Sequence, residues 1–221
     1  MANRRQRVVL LGAGGHGKVV LDALLAAEEH EVVGVLDDDP AKAGLCLLGI
    51  PIVGTSRDLR GLAGRLTFEG VVVALGDNYL RDRKSREVRV AGLQPVTVIH
   101  PGATVSRFVE LGEGIVILAG AVINPGTKLA DNVCVNTAAS VDHDNVLGRS
   151  SHVFPNATLA GGVSIGEFTH IGSGAVVNPN LKVGKHSYVG SGAVVTRDVA
   201  EGVIVVGVPA REVKKQLKRP D

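Results

Sequence analysis

The chain of 221 residues is poor in aromatic side chains, which make up 3% of it, and it contains no tryptophan and one methionine. A core of this composition must be built from Val, Leu, Ile and Ala. An excess of positive charge is also lacking, since 24 Lys and Arg face 22 Asp and Glu. With few stacking rings and a net charge of +2, the composition argues against a nucleic-acid partner.

Cysteine and long apolar segments are scarce as well. Cys46 and Cys134 lie far apart without the spacing of a metal site, so we expect two thiols in a reducing cytoplasm. The longest apolar stretch, at 116–123, is far shorter than the roughly 20 residues that a membrane-spanning helix needs. We therefore expect a cytoplasmic protein with no membrane partner.

A strict period of six residues runs through the second half of the chain. From Ile99 to Val195 every sixth residue is aliphatic, which gives seventeen successive anchor positions. A period of six fits neither an α-helix, at about 3.6 residues per turn, nor a simple series of hairpins. It fits short strands separated by tight corners, each turning one branched side chain inward. The pattern therefore predicts a parallel β-solenoid.

The first 95 residues predict a different fold. A strand at 7–11 leads into a glycine-rich segment and a helix, and a second strand at 32–36 ends at three aspartates. This order is a βαβ unit. A further strand at 71–75 ends at Gly76, and a helix is predicted over 81–90. The segment therefore predicts a small, mostly parallel, Rossmann-like sheet that is too short for a complete dinucleotide fold.

The glycine-rich segment carries the G-x-G-x-x-G pattern at Gly12, Gly14 and Gly17. A helix N-terminus at this point favours a phosphate, and the half-sized sheet favours a nucleoside diphosphate over NAD. The base or ribose is expected near the aspartates at 37 and 38. His16 could donate to a phosphate or be a simple turn residue. Arg81 could reach a diphosphate or lie on a solvated helix face.

One histidine of the repeat region has a setting that suits catalysis. His143 follows the anchor Val141 by two residues, which places it at a corner of the coil between Asp142 and Asp144. A neighbouring carboxylate can orient an imidazole and raise its pKa. Such a histidine can remove a proton from an amine or hydroxyl that attacks a thioester. The alternative is a functionless histidine in an acidic turn.

The four histidines of the solenoid also suggest a zinc site. His152 and His170 are 18 residues apart, so they stack in adjacent turns of a regular coil. The spacings give no close pair with a third ligand, and we predict no metal ion.

Six motifs together resemble those of the bacterial nucleotide-sugar acetyltransferases, which are hexapeptide-repeat transferases. This family includes sialic-acid O-acetyltransferases and the N-acetyltransferases of bacillosamine and GDP-perosamine synthesis. The motifs are GAGGHGK at 12–18, LDDD at 36–39, ALGDNYLR at 74–81, IHPGATVS at 99–106, NTAASVDHDNVLG at 136–148 and GVPAR at 207–211.

The resemblance implies an order of domains along the chain. A Rossmann-like nucleotide-sugar-binding domain would occupy residues 1–95, and a left-handed parallel β-helix residues 96–206. Three hexapeptides would form each coil, giving about five coils that rise about 4.8 Å each. Residues 207–221 would form a short polar tail.

The resemblance also assigns roles to residues. His143 would be the general base, Asp144 would raise its basicity, and Asn136 would lie near the acceptor sugar. Acetyl-CoA would contact His152, Ser173 and Ser191. The nucleotide would lie against Ala13, Gly14, Gly15, His16, Asp37, Asp38, Gly76 and Asn78, with Arg81 within reach of the diphosphate.

The expected reaction moves the acetyl group of acetyl-CoA directly to the C-4 amine of a UDP- or GDP-linked 4-amino-4,6-dideoxy sugar. Acetyl-CoA is then a co-substrate, with no permanently bound cofactor, and the family likeness implies a homotrimer with CoA between neighbouring β-helices. O-acetylation of a sialic acid or another sugar is the alternative. An NAD-dependent oxidoreductase and a non-catalytic nucleotide-sugar binder rank lower. A covalent route would need Cys134 to face outward, as its place before the anchor Val135 suggests.

Overall fold

The computed structural model describes residues 5–215 and divides into two compact units, Met1–Pro101 and Gly102–Asp221. The sequence had suggested a division after residue 95. Residues 216–221 of the expected tail lie outside the described part of the chain.

The first unit is a parallel sheet with helices. Its elements are β1 (Gln6–Leu11), α1 (Gly15–Ala27), β2 (His30–Leu36), β3 (Cys46–Leu47), β4 (Ile50–Gly54), α2 (Leu59–Leu66), β5 (Gly70–Val73), α3 (Asn78–Val90), β6 (Gln94–Pro95) and the two-residue strand β7 (Val98–Ile99). Short 3-10 helices lie at Pro40–Lys42 and Ser56–Asp58. The sheet order is β3-β4-β2-β1-β5-β6, with β3 antiparallel to β4 and the other pairs parallel.

The predicted βαβ unit of β1, α1 and β2 is present. The central strands carry buried apolar runs at 8–11 in β1, 35–36 in β2 and 71–73 in β5, in keeping with a parallel sheet covered on its faces. Gly12 lies between β1 and α1 with φ +116°, and a Cβ there would lie 2.7 Å from the Ala74 carbonyl oxygen. At Gly17 a Cβ would collide with the Gly12 carbonyl oxygen. These two glycines therefore let α1 begin directly against the sheet.

The second unit is a parallel β-helix. Its strands are β8 (Thr104–Val105), β9 (Glu110–Leu111), β10 (Val116–Ile117), β11 (Val122–Ile123), β12 (Lys128–Leu129), β13 (Cys134–Val135), β14 (Ser140–Val141), β15 (Val146–Leu147), β16 (His152–Val153), β17 (Thr158–Leu159), β18 (Ser164–Ile165), β19 (His170–Ile171), β20 (Val176–Val177), β21 (Lys182–Val183), β22 (Tyr188–Val189), β23 (Val194–Val195), β24 (Val203–Val206) and β25 (Arg211–Lys215). From β8 to β23 every strand has two residues and ends on a predicted anchor.

From β8 to β20, each strand of the coil pairs with the strand eighteen residues further on. Cys134 lies opposite Val116 on one side and His152 on the other, for example. The strands thus form three faces, with the orders β10-β13-β16-β19-β22-β24-β25, β8-β11-β14-β17-β20-β23 and β9-β12-β15-β18-β21. The six-residue register ends after β23. The segment expected as a tail instead contains β25, which pairs antiparallel with β24.

The corners of the coil share one backbone conformation. Every sixth residue from Gly114 to Gly192 has a positive φ, and nine of these fourteen residues are glycine or asparagine, the residue types that adopt this conformation most readily. Asp144 is one of them, with φ 58°. Inside the coil, the anchors from Ile117 to Val195 are at most 3% exposed, so they form one continuous aliphatic core.

Candidate functional site

The first candidate site is the N-terminus of α1. Its N-cap is Gly14, which makes no side-chain hydrogen bond to the helix, and the first turn carries no acidic residue. Gly14 and Gly15 are exposed, and a Cβ built on either meets nothing within 4 Å in the described chain. Packing within the unit therefore leaves this helix end open. Its outward N–H groups and the helix dipole suit a phosphate.

Asp37 joins the loop after β2 to the loop after β1. Its Oδ2 accepts hydrogen bonds from the Ala13 amide at 2.6 Å and from Lys42 Nζ at 2.9 Å, and its Oδ1 accepts from the Asp39 amide. Burial raises the pKa of Asp37, but these hydrogen bonds outweigh burial and hold the pKa below its ordinary value. The Ala13 amide, which we expected beside the nucleotide, is thus bound to Asp37.

Asp38, the next residue, is held in place by Ser56 and Lys84. It accepts hydrogen bonds from the amide and hydroxyl of Ser56, and Lys84 Nζ lies 3.1 Å from its Oδ2. Burial raises the pKa of Asp38, and the bonds from Ser56 and Lys84 more than offset this, so its pKa is also lowered. Lys84 in turn pairs with Glu87 at 2.9 Å. The carboxylate is therefore charged and fixed in place.

Arg81 is a buried residue, so the expectation that it lies on a solvated helix face is wrong. Only 1% of it is exposed. Its guanidinium donates to the Leu75 carbonyl oxygen at 2.9 Å and to Asn78 Oδ1 at 2.7 Å. Asn78 is itself fully buried. The pair fixes the turn that contains Gly76, where a Cβ would meet nothing within 4 Å.

His16 lies in the first turn of α1 and not in the preceding loop. Burial, followed by the positive charge of Arg81, lowers the pKa of His16 to about 4. The imidazole is therefore neutral near pH 7. It can offer a phosphate at most a neutral N–H donor, without a charge.

The second candidate site is the corner that carries His143 and Asp144. His143 Nδ1 lies 2.8 Å from Asp144 Oδ2, and the His143 side chain is 60% exposed. The hydrogen bond with Asp144 raises the pKa of His143, and the charge of Asp142 raises it further. With the Nδ1 proton directed to Asp144, Nε2 carries the lone pair of the ring and can accept a proton. This is the geometry of a general base.

Asp142 supports this corner from the other side of the histidine. Its Oδ1 accepts hydrogen bonds from the His143 amide and from Asn124 Nδ2, both at 2.8 Å. The bond from Asn124 and then that from the His143 amide lower the pKa of Asp142, so its charge persists.

Asn136 and His152 lie together, since Asn136 Nδ2 is 3.1 Å from His152 Nε2. His152 is 1% exposed and stacks on Phe154 with ring centroids 4.0 Å apart. His152 also lies opposite His170 in the adjacent strand, which confirms the predicted stacking. Asn136 is the partly exposed member of the pair, and it contacts the buried His152.

The remaining predictions concern the two serines expected to contact acetyl-CoA, the thiol of Cys134, a metal site and a membrane-spanning segment. Ser173 and Ser191 are exposed and occupy the same corner in adjacent coils, as the hydrogen bond from the Gly192 amide to the Ser173 carbonyl shows. Cys134 is 0% exposed, so its thiol is not accessible for the covalent route. Within residues 5–215, no group of three His, Cys, Asp or Glu side chains could hold a metal ion. The same residues contain no helix long and apolar enough to cross a membrane.

Sequence comparison finds two families in the chain. Residues 7–88 match the PglD N-terminal domain, and residues 163–197 match the bacterial transferase hexapeptide family, which comprises six repeats. Among curated proteins, the chain is 35% identical over 117 residues to UDP-N-acetylbacillosamine N-acetyltransferase of Bacillus subtilis. That match covers 52% of this chain and 52% of the relative, so it spans about half the length of each.

Solved structures match nearly the whole chain. PerB from Caulobacter crescentus, in complex with CoA and GDP-perosamine, is 41% identical with a TM-score of 0.88, and the match covers 96% of this chain and 98% of PerB. The acetyltransferase domain of PglB from Neisseria gonorrhoeae, in complex with acetyl coenzyme A, is 36% identical with a TM-score of 0.88. The match covers 95% of this chain and 100% of that domain.

A sheet of parallel strands followed by a left-handed β-helix of hexapeptide repeats is the fold of an acyltransferase. The chain belongs to the bacterial nucleotide-sugar acetyltransferases, as its motifs had suggested. The fold class predicted from the sequence is confirmed with it.

Proposed function

We propose that the protein transfers the acetyl group of acetyl-CoA to the C-4 amine of a UDP- or GDP-linked 4-amino-4,6-dideoxy sugar. The observation that carries this proposal is the exposed His143 imidazole, bonded through Nδ1 to Asp144 at 2.8 Å. The complexes of PerB with CoA and GDP-perosamine, and of PglB with acetyl coenzyme A, support the two substrate classes. The perosamine N-acetyltransferase from Caulobacter crescentus has also been solved with one histidine replaced by asparagine or alanine, which supports a role for a histidine in this reaction.

The reaction follows from the chemistry of the pair. The amine nitrogen attacks the thioester carbonyl carbon while His143 Nε2 accepts the proton that the nitrogen loses. The new C–N bond forms and the C–S bond breaks, so CoA leaves as a thiolate. The imidazolium then returns its proton to the sulfur, which gives an amide, CoA thiol and a neutral histidine. Asp144 stabilises the imidazolium between the two proton transfers.

The first unit would bind the nucleotide as a small Rossmann-like domain. The diphosphate would lie at the open N-terminus of α1, against Gly14 and Gly15, where outward N–H groups can donate to its oxygens. Asp37 and Asp38 would flank the ribose or base, with their carboxylates already charged and held in place. Asn78 and Arg81, which are buried, would act by holding the turn around Gly76.

The co-substrate and the assembly complete the proposal. Acetyl-CoA would extend along the corner that carries Ser173 and Ser191, with Asn136 near the acceptor sugar. We propose a homotrimer with CoA between neighbouring β-helices and a place in the cytoplasm, where nucleotide sugars and acetyl-CoA are found. No permanently bound cofactor enters this reaction.

The proposal is tested by release of CoA thiol with a panel of acceptors. The panel contains UDP- and GDP-linked 4-amino-4,6-dideoxy sugars together with free and CMP-linked sialic acid. We expect turnover with one amino sugar and a loss of about 10²–10⁴-fold in kcat for His143→Gln, with nucleotide binding retained. Release with sialic acid alone would favour the O-acetyltransferase alternative. Full activity of His143→Gln would refute the assigned base.

A further inference from the structure

The His143 imidazole lies against a position that has no side chain. Gly161 follows His143 by eighteen residues, so it occupies the same corner in the next coil. A Cβ built on Gly161 would lie 2.6 Å from both Cε1 and Nε2 of the imidazole. Real Cβ atoms do not approach other atoms this closely. The ring therefore occupies the volume that any other residue at 161 would fill.

The backbone at this position does not itself require glycine. Gly161 does not have a positive φ. In this corner that conformation belongs to the next residue, Gly162. The same place in the hexapeptide recurs every six residues from Arg107 to Arg197, which gives sixteen positions. Fifteen of them carry a side chain, including proline at 125, 155 and 179 and alanine at 119. Glycine at 161 is thus explained by its neighbour His143 and not by the conformation of the chain.

A second glycine gives room to the carboxylate of the pair. Gly126 precedes Asp144 by eighteen residues and lies on the corner of the previous coil, with φ 78°. A Cβ built on Gly126 would collide with Asp144 Oδ1. The conformation alone admits other residues, because Asn132 and Ala138 adopt positive φ at the next two corners.

We propose that Gly161 and Gly126 are positioning residues for acetyl transfer: their missing side chains form a slot between coils that holds the His143 imidazole against the Asp144 carboxylate. This inference rests on the proposed function of His143 as the general base. Gly161 bounds the slot on the imidazole side and Gly126 on the carboxylate side. A methyl group at either position pushes one member of the pair away from the other, while the β-helix itself is unaffected at 161.

The experiment compares Gly161→Ala, Gly126→Ala and Gly120→Ala with the unaltered protein. Gly120 is the matched control, because it has φ 70° at an equivalent corner and a Cβ there has no neighbour closer than 3.7 Å. We expect kcat to fall at least tenfold in Gly161→Ala and Gly126→Ala and to change little in Gly120→Ala. Gly161→Ala should unfold at the same or a higher temperature, since replacing a glycine in an ordinary conformation restricts the unfolded chain.

A second measurement reports on the contact between the imidazole and Asp144 without relying on turnover. The imidazole signal of His143, identified by its absence in His143→Gln, is titrated by NMR in each variant. If the slot holds the ring against Asp144, the pKa of His143 falls towards its ordinary value in Gly161→Ala and stays raised in Gly120→Ala. The charge of Asp142 remains in all variants. An unchanged pKa with unchanged kcat in Gly161→Ala would overturn the inference.

Two further outcomes are decisive. If Gly161→Ala raises only the KM for acetyl-CoA and leaves the pKa of His143 raised, the missing side chain serves the ligand and the inference is wrong. In the His143→Gln background, the added Gly161→Ala should lower the residual rate no further, because the group it displaces is gone. Absence of transferase activity in the unaltered protein would refute the proposed function, whereas the titration would still test the slot.

Discussion

Asp144 combines two demands in a single side chain. It occupies a corner with φ 58°, a left-handed conformation that glycine and asparagine adopt with the least strain. It also presents a carboxylate to His143. Asn132, Asn156 and Asn180 occupy equivalent corners. Asp144→Asn therefore keeps the backbone and removes only the charge, which makes it a cleaner variant than alanine.

We expect Asp144→Asn to shift the pH dependence of acetyl transfer. A base acts in its unprotonated form, so kcat/KM rises as the pH passes upward through the pKa of His143. The hydrogen bond with Asp144 is the largest cause that raises this pKa. Its loss moves the rising limb to lower pH and lowers the plateau by about 10- to 100-fold, because the imidazolium is less stabilised. A pH–rate profile in which the limb stays in place would contradict the role of Asp144.

At the scale of elements, the turn between β5 and α3 depends on a buried guanidinium. Arg81 bonds both the Leu75 carbonyl and Asn78, and a lysine ammonium cannot reproduce this fork. We expect Arg81→Lys to lower the free energy of unfolding by about 1–3 kcal/mol and to raise the KM for the nucleotide sugar. The KM for acetyl-CoA should stay the same. Urea unfolding and steady-state kinetics measure these effects.

Arg83→Lys is the control for this variant. Arg83 lies on the same helix, with a side chain that is 64% exposed, and it pairs only loosely with Glu87 at 3.8 Å. Its substitution should leave stability within about 0.5 kcal/mol. Equal effects of the two substitutions would show that the buried fork has no special role.

The coil predicts different costs for the same substitution at different anchors. Leu147 is fully buried on β15 between two neighbouring strands, whereas Leu111 is 39% exposed on β9 at the end of its face. Leu147→Ala should cost about 2–5 kcal/mol of unfolding free energy, and Leu111→Ala less than half of that. Chemical denaturation of both variants checks this. Equal losses would mean that the two anchors contribute equally to the core.

The sequence predicted the repeat strands well because a period leaves little freedom. Each anchor from Val105 to Val195 ends a strand, since a shift of one residue would turn an aliphatic side chain outward. The short β3, the polar α2 and the C-terminal β25 were not predicted, because two to eight residues without a clear period carry little signal. The partners of Asp37, Asp38 and Arg81 were also missed. They come from loops that only the folded sheet brings together.

At the scale of the whole molecule, the proposed groove for acetyl-CoA needs more than one chain. Ser173 and Ser191 are exposed at one corner of the coil, and we infer that a neighbouring β-helix supplies the other wall of the groove for the pantetheine arm. We expect the protein in solution to have the mass of three chains. Analytical ultracentrifugation at working concentrations measures this, and a monomer that retains full activity would contradict the shared groove.

The pairing of each strand with the one eighteen residues away has a consequence for the history of this protein. Duplicating or deleting one complete turn beyond the active corner leaves every remaining strand with a partner and every anchor pointing inward. An insertion of one residue within a turn does neither. Lineages of this enzyme should therefore differ in length by whole turns, with other insertions confined to loops that leave the coil. The length of the coil should therefore change in multiples of eighteen residues, which is one complete turn.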